Sequence, residues 1–151
     1  MLREALNDRL KAAMRARDAR TLSAVRLILA ALKDRDIAAR TPASREGVSD
    51  PEILRMLQGM IKQRRESITL YQQGNRPELA QKEADEIAVI ESFLPQQMSE
   101  AEMTEAVRAA IAETGAAGVK DMGKVMALLR ERHAGIIDMS RAGPIVKQLL
   151  G

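Results

Sequence analysis

The chain has 151 residues, of which 46% are apolar and 30% charged, a balance that predicts a folded globular protein of one ordinary domain or two small ones. It has no Cys and a single His, which excludes disulfide frameworks, thiolate nucleophiles, zinc fingers, iron–sulfur clusters and multi-histidine metal centres. The net charge is only +3, and one Tyr, one Phe and no Trp argue against base-stacking platforms for single-stranded nucleic acid.

Hydrophobic patterning sets the fold class and the expected location. No apolar run approaches the roughly 18 residues that a membrane span needs. Residues 1–20 carry charges throughout, where a signal peptide would need an apolar stretch. We therefore expect a cytoplasmic protein with no membrane partner. Nothing alternates at strand period, so the predicted fold is all-α.

Residues 1–94 read as four helices. Apolar residues at three- and four-residue steps predict helices over 2–16 and 20–38, and the Pro-, Gly- and Ser-containing stretch 39–49 predicts an exposed loop. A third helix is expected to start with Asp50 as N-cap and to end at Gly74. The fourth runs from Pro77 to Leu94, before Pro95.

The short break between the third and fourth helices predicts an antiparallel hairpin. Counting outward from the turn brings Arg64 and Arg65 near Asp85 and Glu86, so these four residues are expected to form structural ion pairs. A catalytic carboxylate dyad or a cation site on the fourth helix is the alternative interpretation. Opposite charges on the facing helix make the structural account simpler.

A domain boundary is predicted at residues 95–98, which we assign to a linker. Residues 1–94 would form an N-terminal bundle of about four helices, and residues 99–151 a small C-terminal domain. In that domain, Ser99 and Glu102 form a predicted capping box. Apolar stripes punctuated by glycines predict three short helices, over 100–114, 121–133 and 139–150.

Residues 118–124, GVKDMGK, match the core of a phosphate-binding loop. The context does not fit, because Val125 stands where Ser or Thr must ligate magnesium and a helix, instead of a strand, precedes the segment. We interpret it as a helix–helix connection in which Asp121 caps the next helix and Gly123 allows close packing.

No catalytic residue is predicted. His133 falls at the end of a predicted helix, where an imidazole caps terminal carbonyls, and the sequence gives no reason to pair it with Asp138 or Ser140. No metal site and no cofactor are predicted either. The methionines mostly occupy stripe positions and serve as core fillers, although some of them could line a groove for a partner.

Charge is unevenly distributed along the chain. Residues 1–45 hold eleven Lys and Arg against five Asp and Glu, residues 46–94 hold six against nine, and residues 95–151 hold seven of each. The basic first third is typical of an electrostatic footprint for RNA, an anionic membrane surface or an acidic protein, and also of ordinary solvated helix faces. Its candidate RNA contacts are Arg15, Arg17, Arg20 and Arg26.

Two blocks of sequence carry a resemblance to a known family. Residues 61–68 (IKQRRESI), followed by Tyr71, residues 74–76 and the Phe-Leu-Pro at 93–95, closely resemble the YqeY family. The tail block MGKVM at 122–126, with residues 137–138 and 145–147, also resembles that family. The MGKVM block is similar as well to the C-terminal tail of the GatB subunit of tRNA-dependent amidotransferase. The resemblance spans essentially the whole chain.

The resemblance implies an N-terminal helical bundle joined to a three-helix domain. It also implies an accessory role, because the amidotransferase tail contacts the tRNA elbow while the chemistry takes place elsewhere in that complex. The chain has no Gly- and Ser-rich amidase signature. By this resemblance, Lys120 and Lys124 are the candidate tRNA contacts of the tail domain.

Three functional hypotheses follow. The first is a non-catalytic RNA-binding module, most plausibly for tRNA, that recognises phosphates and shape. The second is an adaptor that docks on a larger protein complex, with its Met-rich small domain receiving a partner helix. The third is a carbon–nitrogen ligase role, with glutamine as amido donor, inside an amidotransferase-like complex.

Overall fold

The computed structural model describes residues 1–151 and contains only helices, which confirms the all-α prediction. Two compact units divide the chain, unit 1 at Met1–Leu94 and unit 2 at Pro95–Gly151. No helix is both long enough and apolar enough to cross a membrane. The helices are α1 (Leu2–Ala16), α2 (Ala19–Ala39), α3 (Asp50–Gln73), α4 (Pro77–Glu91), α5 (Glu100–Thr114), α6 (Met122–Arg132) and α7 (Met139–Leu150), with a 3₁₀ turn at Val119–Asp121.

Helices α1 and α2 form an antiparallel hairpin with a tight turn. Arg17 adopts a left-handed conformation with φ of 53°, and the Asp18 N–H donates to the Ala13 carbonyl across the end of α1 (3.0 Å). Asp18 then caps α2, because its carboxylate accepts from the Thr21 N–H (3.1 Å) and from the Thr21 hydroxyl (2.6 Å). The adjacent residues Arg17 and Asp18 therefore end α1 and start α2.

The ends of α3 differ in detail from the prediction. Ser49 is the N-cap, and Asp50 and Pro51 occupy the first two helical positions, so the expected cap at Asp50 was wrong by one residue. Gly74 is the C-cap as predicted, but the left-handed residue is Asn75, with φ of 56°. Asn tolerates this conformation better than most residues because its short polar side chain bonds locally.

Helix α4 ends at Glu91, three residues before the predicted end. The Phe93 N–H donates to the Ile90 carbonyl (3.1 Å) and the Leu94 N–H to the Glu91 carbonyl (3.0 Å), so the chain tightens into turns of three residues. The following residue, Pro95, disfavours helical backbone at Leu94 and explains the early end.

The core of unit 1 draws a side chain from each of its four helices. Leu6 of α1, Ile28 of α2, Leu57 of α3 and Ile90 of α4 are at most 1% exposed. Full burial of such side chains contributes about 1.5–3 kcal/mol each. The remaining buried members of this cluster are Leu32, Ile53, Met56 and Ile61.

A clamp around Arg3 and Asp36 ties the loop before α3 to the hairpin. The Arg3 guanidinium donates to both Asp36 carboxylate oxygens (2.6 and 2.7 Å) and to the Val48 carbonyl (2.8 Å). The Val48 N–H in turn donates to Asp36 (2.9 Å). Gly47 lies against this pair so closely that a Cβ there would approach the Arg3 guanidinium to 2.2 Å. The last residues of the predicted loop are therefore held by specific bonds.

Unit 2 is a three-helix bundle with a well-defined entry. Ser99 and Glu102 form the predicted capping box of α5, each side chain bonding the other residue's backbone N–H. Just before it, the Met98 N–H donates to the Ile136 carbonyl (2.9 Å). Gly115 ends α5 with φ of 67°. The buried core consists of Met103, Val107, Ala110, Val125, Leu129, Ile137, Ala142 and Val146.

Candidate nucleic-acid interface

Lys120 and Lys124 lie at the start of α6. Lys120 belongs to the 3₁₀ turn Val119–Asp121 and Lys124 to the first turn of α6, and both residues are exposed. They are four residues apart on a nearly continuous helical path, which places the two ammonium groups on the same side. Val119, beside them, is 46% exposed. Both tail-domain candidates are thus exposed at the start of α6, at a spacing of four residues.

Gly123 leaves the backbone between these lysines uncovered. A Cβ built on this glycine would meet no atom within 4 Å, so the predicted role in close packing was wrong. Asp121 occupies the N-cap position, but its carboxylate makes no bond to α6 and accepts from the Ala117 N–H instead (3.0 Å). The Asp121 carboxylate therefore bonds the loop before α6, and the prediction that it caps α6 was wrong.

The segment 118–124 is not a nucleotide-binding loop. It follows α5, which ends at Thr114, and the structure contains no strand. Val125, at the position that would ligate magnesium, is a fully buried core residue. The motif match therefore reflects a helix–helix connection, as interpreted from the sequence.

The four candidate arginines of unit 1 divide into two groups. Arg15 and Arg17 close α1 and Arg20 opens α2, so these three lie around the α1–α2 turn, and all four arginines are exposed. Arg20 also donates to Asp85 of α4 (2.7 Å). Arg26 lies six residues further along α2, about 9 Å along the axis and about 120° around it from Arg20. It belongs to a different surface.

The predicted ion-pair residues make a wider network than expected. Arg64 donates to Glu86 across the α3–α4 hairpin (2.8 Å), with both side chains 13% exposed. Arg65 lies 3.6 Å from Glu91. Asp85 does not face α3, because one residue along a helix turns the side chain by about 100° and directs it to Arg20 of α2. Asp85 thus links α4 to α2.

The remaining polar candidates have structural bonds. His133 is the C-cap residue of α6, and the bond it makes there is from its backbone N–H to the Leu129 carbonyl (3.0 Å), not from the imidazole. Asp138 caps α7, since its carboxylate accepts from the Ser140 N–H (3.0 Å) and the Ser140 hydroxyl (2.6 Å). No group of three or more His, Asp or Glu side chains is placed to hold a metal ion.

The carboxylates whose pKa is shifted lie in helix caps and in the Arg3–Asp36 clamp. The Thr21 hydroxyl lowers the pKa of Asp18, and the Ser99 backbone N–H lowers the pKa of Glu102. The Arg3 guanidinium lowers the pKa of Asp36 through its paired hydrogen bonds. These shifts mark structural bonds within the helices and the loop.

The methionines of unit 2 do not form an open surface. Met103 is fully buried, and Met98, Met122, Met126 and Met139 are partly buried and pack against the same core. They act as core fillers.

One surface was missed by the sequence analysis. Leu27 and Ile37 of α2 are 44% and 49% exposed. Both fall outside the apolar stripe through Leu22, Val25, Leu29 and Leu32, and this misfit was the signal available in the sequence.

Comparison with known proteins identifies the family. A search of curated proteins finds no match to this chain. Residues 3–150 match the family model described as Yqey-like protein. This confirms the resemblance to the YqeY family that the hairpin and tail blocks carry. The chain, matched over nearly its whole length, belongs to the family of Yqey-like proteins.

Proposed function

We propose that this Yqey-like protein is a non-catalytic RNA-binding module that contacts tRNA through phosphates and shape. The observation that carries the proposal is the surface at the start of α6, where exposed Lys120 and Lys124 flank the uncovered backbone of Gly123. Ammonium groups beside accessible backbone are suited to phosphate oxygens, which accept hydrogen bonds from both. A side chain at position 123 would cover that backbone.

Two further observations support an RNA partner. Arg15, Arg17 and Arg20 place three exposed cations around the α1–α2 turn. The resemblance of the MGKVM block to the amidotransferase tail is the reason for proposing tRNA in particular. With one Tyr and one Phe in the chain, recognition would rest on the backbone and the fold of the RNA instead of on stacked bases.

The test is a titration of the full chain with bulk deacylated tRNA at several salt concentrations. A double-stranded DNA of equal charge serves as the nucleic-acid control. We expect tRNA to bind more tightly than the DNA, with an affinity that falls as salt rises. Replacing Lys120 and Lys124 by Gln should reduce the slope of log K against log salt by about two, since each phosphate contact contributes nearly one.

A matched variant separates local contacts from total charge. Arg130 and Lys147 are exposed cations of the same unit, and replacing both by Gln removes the same charge. This variant should keep most of the salt slope. If the salt slope of tRNA binding fell equally in the two double variants, a defined site at α6 would be contradicted. Binding to tRNA no better than to DNA would overturn the tRNA module, and amidotransfer or glutaminase activity in the purified chain would overturn its non-catalytic character.

A further inference from the structure

Helix α2 has a continuous outer surface, which we call the α2 open face. Its residues recur at three- and four-residue steps and lie within an arc of about 120°. Every one of them is exposed. They are Ser23, Arg26, Leu27, Ala30, Lys33, Asp34 and Ile37.

This face carries two large apolar side chains among its polar ones. Val25, Ile28 and Leu32, on the opposite side, are at most 4% exposed and belong to the interior of unit 1. Leu27 and Ile37 then add two large apolar side chains on the outer side, where an amphipathic helix carries polar residues. Leu27 and Ile37 are ten residues apart, about 15 Å along the axis, so one partner that covers both must be an extended element such as a helix.

Charges on the open face follow a helical spacing. Arg26 and Lys33 are seven residues apart, so they lie along one edge about 10.5 Å from each other. Asp34 lies on the opposite edge, on the same side as Leu27. None of these three charged groups forms an ion pair within the chain. Ala30, in the middle, has a small side chain that allows the backbone of another helix to approach.

The chain already shows how α2 binds a helix along its other edge. Glu78 and Asp85 of α4 are also seven residues apart, and both line the cavity between α2 and α4 together with Arg20. Asp85 accepts a hydrogen bond from Arg20 (2.7 Å). This edge of α4 also carries Lys82 between the two carboxylates, and Asp85 is the one that bonds α2. At the opposite edge of the open face, Arg26 and Lys33 are two cations without a partner in the chain.

We propose that the α2 open face docks an amphipathic helix of another protein, one that carries two acidic residues seven positions apart beside its apolar stripe. The two carboxylates pair with Arg26 and Lys33, while the apolar stripe covers Leu27 and Ile37. Heptad-spaced charges flanking an apolar seam set partner choice and orientation in helix pairs. The α2 open face shares no residue with the proposed contacts Lys120 and Lys124, and its role does not depend on RNA binding.

The experiment measures binding of two synthetic peptides to the full chain by fluorescence anisotropy. The first is a 22-residue helix with a Leu and Ala stripe and two Glu seven residues apart along one edge. The second has the same composition, with both Glu moved to the face opposite the stripe. We expect the first peptide to bind at least tenfold more tightly. Equal binding of the two peptides, or no binding, would overturn the proposal.

Variants locate the peptide. Leu27→Ser should weaken the first peptide at least tenfold, whereas Leu70→Ser, at a 67% exposed leucine of α3, should leave it unchanged. Replacing Arg26 and Lys33 by Glu should abolish the preference for the first peptide. All of these variants change exposed residues and leave the interior of unit 1 intact. Insensitivity to Leu27→Ser would place the peptide elsewhere and reject the docking surface.

Two other occupants give distinct results. If tRNA displaces the first peptide and its own binding is lost in the Arg26 and Lys33 variant, the face belongs to the RNA surface. If sedimentation shows a dimer that Leu27→Ser dissociates, a second copy covers the face. Either result rejects an acidic helix as the occupant.

Discussion

Arg17 carries a side chain in a backbone conformation that favours glycine. Its φ of 53° and ψ of 35° lie in the left-handed region, at the residue that ends α1. A Cβ in this conformation crowds the following carbonyl, at a cost of about 1–2 kcal/mol. Arg17→Gly removes the crowding, although glycine loses more backbone entropy on folding. We expect the free energy of unfolding to rise by about 0.5–1 kcal/mol, measured by urea denaturation.

The same change two residues earlier should have the opposite sign. Arg15 is exposed in the last turn of α1, with helical backbone. Arg15→Gly should therefore lower the free energy of unfolding by about 1 kcal/mol. A loss of stability in both variants would show that the left-handed conformation of Arg17 carries no strain. Arg17→Gly also removes a candidate RNA contact from a chain that is at least as stable.

At the scale of elements, the clamp between Arg3 and Asp36 connects α1, α2 and the loop before α3. The guanidinium lowers the pKa of Asp36, and the Val48 N–H adds to this effect. A carboxyl with a lowered pKa stabilises the fold above its unfolded pKa of about 3.9. This contribution is lost as the pH falls through the lower pKa of the folded state. The stability that the clamp contributes therefore decreases only when the pH becomes acidic.

Asp36→Asn tests this pH dependence. The side chains of Arg3 and Asp36 are 37% and 22% exposed, so solvent screens the pair and we expect a loss of about 1–2 kcal/mol at pH 7. The difference from the natural chain should shrink as the pH is lowered from 5 towards 2. Denaturation curves at several pH values measure it. Asp34→Asn, two residues away and exposed, should stay within about 0.5 kcal/mol of the natural chain. A pH-independent loss would exclude the carboxylate charge as its cause.

The helices and several of their ends could be predicted because the signals are local. The capping box of Ser99 and Glu102 and the C-cap at Gly74 depend on residues within one helical turn. Asp121 shows the limit of this reasoning, since it has the right residue type at the right position but bonds the Ala117 N–H instead. The Ala117 N–H lies only four residues before Asp121, so an equally local bond competes with the cap, and the residue pattern does not decide which of the two forms.

Prediction of the candidate surfaces has the same limit. Periodicity placed Lys120 and Lys124 at the start of a helix, where the structure finds both of them exposed. Arg20 was predicted as a candidate RNA contact, and its bond to Asp85, 65 residues away in sequence, was not foreseen. Charge counting cannot reveal such a contact. The unpaired edge of α2, at Arg26, could be recognised only once the neighbours of α2 were known.

At the scale of the whole molecule, two separate cores lead to an expectation about unfolding. Leu57 lies in the core of unit 1 and Leu129 in the core of unit 2, and neither is more than 1% exposed. Replacing either one by Ala removes the same groups and costs about 2–5 kcal/mol. Since each side chain packs within its own cluster, we propose that each substitution destabilises its own unit.

Hydrogen exchange of the full chain distinguishes local from global effects. Leu57→Ala should accelerate amide exchange in α1–α4, and Leu129→Ala should accelerate it in α5–α7. We expect the larger acceleration from Leu129→Ala, because a unit of this size buries little apolar surface and has little stability to lose. Equal acceleration of all seven helices by either variant would mean that the chain unfolds as one cooperative body. In that case substitutions at the α6 surface would also alter α2, and the tRNA and peptide experiments would need to be interpreted together.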